Sequence, residues 1–326
     1  MLGSKTNSRK TFASISLDLD NQWSYMKTHG DPDWKQMPSY LNTFIPHVLD
    51  LLERHDTRIT FFIVGQDAAM DRNKAELSEL TRKGHEVGNH SFYHEVWLHR
   101  APRKRILREI LMAEDQIVKA TGQKPMGYRG PGFTWSPVLL QVLADIGYSY
   151  DASTLPTYLG PLARKYYFWT SQLDNEQKKK RSKIYGELSD GLKPVKPYFW
   201  KLASHRQLLE IPVSTIPIFK TPFHLSYLIY LSRISELLMK LYLTMAIGLC
   251  QMTSTEPSFL LHPLDLIGGD QIQELAFFPG MDLSTGRKVH IFNEVMRILS
   301  NHYELVTMGK HAEHVRAIGK ATSNRP

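Results

Sequence analysis

The chain of 326 residues contains a single cysteine, Cys250, so no intramolecular disulfide can form. It also lacks any charge-free apolar stretch of about eighteen residues or more, which argues against a membrane-spanning helix. The N-terminus is polar and basic, and Asp18 and Asp20 interrupt the apolar run that follows it, so we predict no signal peptide. These absences favour a reducing compartment, and we expect a cytoplasmic protein.

The charge balance is basic, with 40 Lys and Arg residues against 32 Asp and Glu residues and a net charge of +8. A local source of this surplus is the run Lys178-Lys179-Lys180-Arg181. A solvated loop explains such a run, and a patch that contacts phosphate or an anionic membrane surface is the alternative. No DNA- or RNA-binding motif accompanies the run, so we expect no nucleic-acid partner.

Strand-like and helix-like segments alternate from Phe12 to Tyr150. Such alternation predicts parallel strands joined by helical crossovers, and therefore an α/β fold. The predicted strands cover residues 12–19, 58–64, 85–89, 126–129 and 148–151, and the predicted helices cover residues 38–55, 73–83, 102–120 and 136–146.

The pattern changes after residue 153. One strand is predicted at Leu208–Val213, followed by an apolar stretch, Phe223–Cys250, whose charges Arg233, Glu236 and Lys240 share one face of a helix. A helix packed on the domain and a helix lying on a bilayer both fit this stretch. Beyond it we predict a strand at 258–261, a helix at 287–300, a strand at 303–308, and a loose tail after residue 310.

Two short motifs indicate metal chemistry. Asp18 and Asp20 stand two residues apart, which places both carboxylates on one face of a strand. His90 and His94 stand four apart, close enough on one helical turn to reach one ion. One carboxylate and two imidazoles can bind a divalent metal and leave positions open for water, while the second carboxylate acts as a base. The pattern therefore predicts a metal-dependent hydrolase.

The chemically important residues also follow the predicted strands. Asp18, Asp20, His90, Arg129 and Asp151 all fall at carboxyl ends of strands, which is where α/β barrels place their active sites. We therefore expect these side chains to gather at one edge of the sheet.

Five motifs stand along the chain in the order Asp18-Leu19-Asp20, His90-Ser91-Phe92-Tyr93-His94, Arg129-Gly130-Pro131-Gly132, Asp151-Ala152-Ser153 and Leu260-Leu261-His262-Pro263. In type and order they resemble the motifs of the polysaccharide deacetylases with a NodB homology domain (carbohydrate esterase family 4), in a divergent Asp-x-Asp branch. The resemblance covers about residues 12–150 and 257–308. It implies a deformed (β/α)7-type barrel with a large insertion between motifs four and five.

The resemblance implies a role for each residue on the metal-binding side of the site. Asp20, His90 and His94 would bind a divalent metal, most often Zn²⁺. Asp18 would be the general base that takes a proton from the metal-bound water. Arg129 would keep Asp18 ionised and oriented through an ion pair, because a nearby cation favours the charged carboxylate.

Three further roles follow from the resemblance. His262 would be the general acid that protonates the leaving amine, with its charge supported by Asp151. A backbone N–H near Gly132 would meet the oxyanion together with the metal. A purely structural role for Asp151 is the alternative.

We therefore expect one catalytic domain, residues 1–326, with a core at 11–154 and 257–310. The insertion at 155–256 would contact the substrate or a membrane.

The expected reaction is metal-dependent N-deacetylation of an acylated amino sugar, within a glycan or a lipid-linked precursor at the inner face of the cytoplasmic membrane. The alternatives are a deformylase of a lipid-linked aminosugar and a small-molecule amidohydrolase of the same fold. A sugar-binding module without activity is disfavoured because Asp18, Arg129 and His262 are all present.

Overall fold

The computed structural model describes residues 10–159, 188–203, 206–319 and 322–324. Within these residues ten strands form one sheet: β1 (Thr11–Leu19), β2 (Thr60–Ile63), β3 (Glu86–Asn89), β4 (Gly127–Tyr128), β5 (Tyr150–Asp151), β6 (Tyr198–Trp200), β7 (Leu208–Glu210), β8 (Ser258–Leu261), β9 (Tyr303–Val306) and β10 (Thr322–Asn324). The strand order is β10-β6-β7-β5-β4-β3-β2-β1-β8, and β9 also pairs with β1. Every pair is parallel except β6 with β7.

Helices follow the strands along the chain and pack outside the curled sheet: α1 (Gln22–His29), α2 (Leu41–Arg54), α3 (Gly65–Ala68), α4 (Asp71–Arg82), α5 (Arg103–Thr121), α6 (Pro137–Asp145), α7 (Leu225–Ile234), α8 (Glu236–Met252), α9 (Thr285–His302) and α10 (Met308–Ile318). The predicted α/β class and the deformed (β/α)7-type barrel are confirmed. Strands β6 and β7, from the predicted insertion, are part of the sheet beside β5.

Strand β1 shows how the two faces of the sheet differ. Its apolar side chains belong to the main hydrophobic core: Ala13, Ile15, Leu17 and Leu19. The alternate positions are equally buried but polar: Ser14, Ser16 and Asp18. Since successive side chains of a strand point to opposite faces, the polar row faces the barrel interior, where each member finds a hydrogen-bond partner.

The strand register brings the predicted site residues to one edge. Leu17 is the partner of Leu261, so the residue after β8, His262, lies beside Asp18. Asn89 is likewise the partner of Tyr128, so the residues that follow β3 and β4 are neighbours. Parallel strands end on the same side of a sheet, which is why residues far apart in sequence meet here.

The apolar stretch Phe223–Cys250 forms two helices, so the prediction of one continuous helix is wrong. Ser235 separates α7 from α8 in an extended conformation, and its hydroxyl accepts a hydrogen bond from the backbone N–H of Leu238. A serine in this position caps the start of a new helix. Arg233 consequently pairs with Asp282 instead of sharing a helix face with Glu236.

The prediction of a loose tail after residue 310 is also wrong, because α10 extends to Ile318. Thr307 caps this helix through the backbone N–H of Lys310, and His311 is fully buried against Ser14 of β1. The sequence contains the signal, since a capping threonine precedes apolar residues at helical spacing.

Two predictions concern membranes. None of the described helices is both long enough and apolar enough to cross a bilayer. The basic run Lys178–Arg181 lies outside the described residues.

Candidate active site

A buried ion pair between Arg129 and Asp18 lies at the centre of the site. Nη1 of Arg129 is 2.7 Å from Oδ1 of Asp18, and it also donates to the hydroxyl of Ser16 at 2.9 Å. Nε donates to the backbone carbonyl of Ala152 at 3.0 Å, and the ring of Phe62 lies 4.4 Å from the guanidinium carbon. A buried charge requires such partners, and together they hold the guanidinium against Asp18. The ion pair that the resemblance implies is thus present, while the role of Asp18 as a base remains a prediction.

Asp20, His90 and His94 converge beside this ion pair. One ligand atom from each side chain lies within 4.8 Å of the others. Oδ1 of Asp20 is 2.9 Å from Nε2 of His94 and 3.6 Å from Nε2 of His90, yet within the described part of the chain this buried oxygen makes no hydrogen bond of acceptable geometry. One carboxylate oxygen and two imidazole nitrogens around a common point fit a divalent metal, with positions left over for water or substrate.

The protonation states of the cluster also suit a metal. Burial raises the pKa of Asp20, but the neighbouring His94 and His90 outweigh it and hold the pKa at about 2. Burial lowers the pKa of His90. At neutral pH Asp20 is therefore a carboxylate and His90 a neutral imidazole, which are the forms that bind metal ions.

The orientation of His90 is fixed by the backbone of Arg129. Nδ1 of His90 lies 2.7 Å from the carbonyl oxygen of Arg129. Because a carbonyl can only accept a hydrogen bond, Nδ1 carries the proton and Nε2 presents its lone pair towards Asp20. Metal-binding histidines commonly donate their second nitrogen in this way.

The two histidines do not share a helical turn, so the predicted local geometry is wrong. Ser91 and His94 both adopt positive φ angles, 61° and 51°. The side chain of Asn89 accepts a hydrogen bond from the N–H of Ser91 at 2.9 Å, which supports the reversal of the chain. This loop brings the ring centroids of His90 and His94 to 5.1 Å from each other.

His262 has a different carboxylate partner from the one predicted. Its Nδ1 lies 3.7 Å from Oδ2 of Asp265 and 3.4 Å from the hydroxyl of Ser226 on α7. The backbone N–H of His262 donates to the same Asp265 oxygen at 2.8 Å. Burial lowers the pKa of His262, but Asp265, Asp18 and Asp20 outweigh burial and raise it above its usual value.

Asp151 therefore does not occupy the position beside His262 that the resemblance implies. Its Oδ1 accepts a hydrogen bond from the hydroxyl of Ser153 at 2.6 Å, and its strand partner is Glu210 on β7. The physical reason is that the chain after β7 lies between β5 and β8: the N–H of Val213 donates to the carbonyl of Thr154, and the N–H of Ser214 donates to the carbonyl of Ser258 on β8.

Gly132 lies in the short 3₁₀ turn Pro131–Phe133 that follows β4. Its φ of 66° belongs to the left-handed region that favours glycine, and an added Cβ would stand 3.3 Å from Cγ1 of Val96. The contribution of its backbone N–H to an oxyanion site remains a prediction.

Three residues of the site were missed at the level of sequence: Ser226, Asp265 and Glu210. Asp265 comes three residues after His262, a spacing typical of a capping carboxylate, and this was the available signal. Ser226 and Glu210 stand in no motif, and only the packing of α7 and β7 brings them to the site.

A family model described as polysaccharide deacetylase matches residues 31–150. A peptidoglycan-N-acetylglucosamine deacetylase of Bacillus cereus is 27% identical over 106 residues, which cover 32% of this chain and 48% of that protein. A peptidoglycan-N-acetylglucosamine deacetylase of Listeria monocytogenes is 34% identical over 102 residues, which cover 31% of this chain and 21% of that protein. The chain thus matches less than half the length of these curated relatives.

The fold has a counterpart among solved structures. A chain from Mycobacterium smegmatis, described as a polysaccharide deacetylase, aligns over 99% of this chain and 97% of its own length. The TM-score is 0.60 at 18% sequence identity, which is a likeness of fold. The family match contains His90, His94 and Arg129, begins after Asp20, and ends at residue 150.

Proposed function

Because the chain belongs to the polysaccharide deacetylase family, with a NodB homology domain, we propose that it is a metal-dependent N-deacetylase of an acylated amino sugar. The observation that carries the proposal is the convergence of Asp20, His90 and His94 beside the buried pair of Asp18 and Arg129. Two curated relatives are named peptidoglycan-N-acetylglucosamine deacetylases, which supports N-acetylglucosamine as the first sugar to test.

Asp20, His90 and His94 would hold the divalent metal, and Zn²⁺ suits one oxygen and two imidazole ligands. Such a metal, when bound, lowers the pKa of water towards about 7 and polarises a carbonyl group. Residues of the protein would carry out the other steps of the reaction.

Asp18 would act as the general base. Its Oδ1 is occupied by Arg129, so the carboxylate is held in one orientation and its charge is stabilised. The second oxygen then receives the proton of the attacking water. A positioned base of this kind contributes roughly 10²–10⁴-fold to the rate.

His262 would act as the general acid on the opposite side of the scissile bond. Asp265 and Ser226 orient its Nδ1 side, which leaves Nε2 to donate a proton to the departing amine. The raised pKa of His262 supports this role, since a general acid must be protonated near its working pH. The N–H of Gly132 would stabilise the oxyanion.

The insertion would bring this chemistry to a lipid-linked glycan precursor at the inner face of the cytoplasmic membrane. Three side chains around the α7–α8 junction support this substrate, because they are apolar and largely exposed: Ile234 at 77%, Leu237 at 67% and Leu241 at 59%. Ser226, at the start of α7, contacts His262, so the helix that carries Ile234 at its other end begins at the site. A free amino sugar would not need such a surface.

The test of the reaction is the release of acetate and formate from N-acylated sugars, free and lipid-linked, by the metal-loaded protein. Metal-dependent release that both Asp18→Asn and His90→Ala abolish is the expected result, and the acid released distinguishes a deacetylase from a deformylase. No release from any of the sugars by a protein that binds metal would overturn the proposal in favour of a small amide substrate.

The lipid-linked version has a separate test. Binding to liposomes with anionic lipid should weaken in Leu237→Asp and on replacement of Lys178–Arg181 by neutral residues. A protein that ignores these liposomes and keeps full activity after both changes acts on a substrate that is not membrane-bound.

A further inference from the structure

Two carboxyl groups that belong to different parts of the chain face each other at the ends of β5 and β7. Asp151 and Glu210 are register partners at the ends of the parallel strands β5 and β7, and neither side chain is exposed to solvent. Paired positions on neighbouring parallel strands point to the same face, with the backbones about 4.8 Å apart. Two buried carboxylates at this spacing would repel each other strongly.

The hydrogen bonds around the pair are unequal. Glu210 is well supplied with donors, since Oε1 accepts from the N–H and the hydroxyl of Thr154 at 3.0 and 2.6 Å, and Oε2 accepts from Nε1 of Trp200 at 3.0 Å. Asp151 accepts from the hydroxyl of Ser153 through Oδ1, and its buried Oδ2 has no hydrogen-bond partner among the described residues. A buried acceptor without a donor is costly, and a proton between the two carboxyl groups would supply the missing donor.

No described cation contacts these carboxylates. Arg129 directs its guanidinium to Ala152, Ser16, Asp18 and the sulfur of Met308. Among the described residues, the other titratable groups around the pair are Tyr128 on β4, Tyr198 on β6, and Lys193 with Asp190 before β6. Lys193 lies over the rings of Trp135 and Trp200. Burial raises the pKa of both Asp151 and Glu210, and the charge of Asp151 raises that of Glu210 further.

A chain of hydrogen bonds connects the pair to the metal side of the site. The hydroxyl of Ser153 donates to Asp151 and accepts from the N–H of Gly130 at 2.8 Å. Gly130 directly follows Arg129, whose carbonyl orients His90 and whose guanidinium holds Asp18. The pair therefore supports Arg129, which contacts both the predicted base and a predicted metal ligand.

We propose that Asp151 and Glu210 share one proton, and that this protonated pair is a positioning device that holds Arg129 in place through Ser153 and Gly130. Glu210 is then a positioning residue for the reaction although it belongs to none of the five motifs. Only the activity measurements below rest on the proposed function.

The variants Asp151→Asn and Glu210→Gln should differ in stability, because the two carboxyl groups have different hydrogen-bond partners. Asp151→Asn puts an NH₂ group where Oδ2 has no partner, so it replaces the shared proton and keeps the acceptor for Ser153. Glu210→Gln must turn its NH₂ group towards Thr154 or Trp200, both of which donate. We expect a Tm near that of the unchanged protein for Asp151→Asn and a lower Tm for Glu210→Gln. Asp151→Ala should lose activity, and Asp151→Asn should restore kcat/KM at least about tenfold above the alanine variant.

The pH dependence provides a readout that needs no substrate. A carboxyl group whose pKa is raised in the folded state stabilises the protein at low pH, and that stability is lost as the pH rises through the raised pKa. The Tm of the unchanged protein should therefore fall with rising pH by about 2–4 °C more than that of Asp151→Asn. Asp115→Asn, an exposed change on α5, is the control and should keep the full decline.

Infrared spectroscopy detects the proton directly. The unchanged protein should show the carbonyl stretch of a protonated carboxyl group that Asp151→Asn lacks. Other buried carboxyl groups with raised pKa values, such as Glu86 and Glu109, are present in both proteins. The difference between the two infrared spectra therefore reports on the pair alone.

An infrared band that is equal in both proteins, or an unchanged alkaline decline of Tm in Asp151→Asn, overturns the shared proton. An Asp151→Asn protein that folds normally but is as inactive as Asp151→Ala overturns the positioning role and favours a direct role for the charge.

Discussion

The metal side and the acid side of the site are built in different ways. The metal side comprises Asp18, Asp20, His90, His94 and Arg129, which lie at or after the carboxyl ends of β1, β3 and β4 in a regular alternation of strands and helices. The acid side comprises His262, Asp265 and Ser226, which come from β8, the turn after it, and a helix of the long region before it.

This difference governs what a sequence can reveal. On the metal side four of the five side chains stand at or next to a strand end, so the strand order brings those four together, and His94 depends on the loop after β3. On the acid side the partner of His262 depends on which loop and helix pack against β8. The resemblance assigned that partnership to Asp151, and the structure gives it to Asp265.

The largest effect is expected on the metal side, from Asp18→Asn. The amide cannot accept the proton of water, so kcat should fall by about 10²–10⁴-fold. Metal content, measured on the purified protein, should stay the same because Asp18 is not among the three converging residues. Asp20→Asn is the matched change, which should remove the metal as well. Loss of metal from Asp18→Asn would show that the two aspartates share one role.

Arg129→Met tests whether the metal side depends on its buried ion pair. The change leaves the carboxylate of Asp18 buried without its cation, so the free energy of unfolding should fall by about 3–5 kcal/mol. Arg233→Met removes the exposed partner of Asp282 and should change it by about 0–1 kcal/mol. Denaturant titration of both variants measures the difference, and equal values would mean that Arg129 contributes only as a surface arginine does.

Asp265→Asn tests the corrected assignment on the acid side. Asp265 helps to raise the pKa of His262, so its neutral replacement should lower that pKa. A general acid loses activity as the pH rises through its pKa, and the alkaline limb of the kcat profile should therefore move to lower pH. A shift of about one unit would cost about tenfold in rate above the new pKa. A profile that moves in Asp151→Asn and not in Asp265→Asn would restore the partner implied by the resemblance.

The sequence was a good guide to the sheet and to the residues of the metal side, and a poor one to local geometry. Asp20, His90 and His94 do converge, but through positive φ angles at Ser91 and His94 instead of a helical turn. Residue spacing restricts which side chains can meet and leaves open how the loop between them folds. Glu210 shows a further limit of prediction from sequence. A buried glutamate on a short strand forms no recognisable motif, and its pairing with Asp151 is known only from the strand register.

The smallest effects are expected from glycine-to-alanine changes. A pair of such changes distinguishes a glycine of the site from a glycine elsewhere in the fold. Gly132 and Gly122 both have positive φ angles, 66° and 73°, so alanine at either position should cost about 1 kcal/mol of stability. A Cβ at Gly122 meets no atom of the described residues within 4 Å, whereas a Cβ at Gly132 presses on Val96 and shifts the turn that carries the predicted oxyanion N–H. Gly132→Ala should therefore lower kcat as well as Tm, and Gly122→Ala should lower Tm alone. Equal kcat values in the two variants would remove Gly132 from the catalytic machinery, and the oxyanion would then depend on the metal.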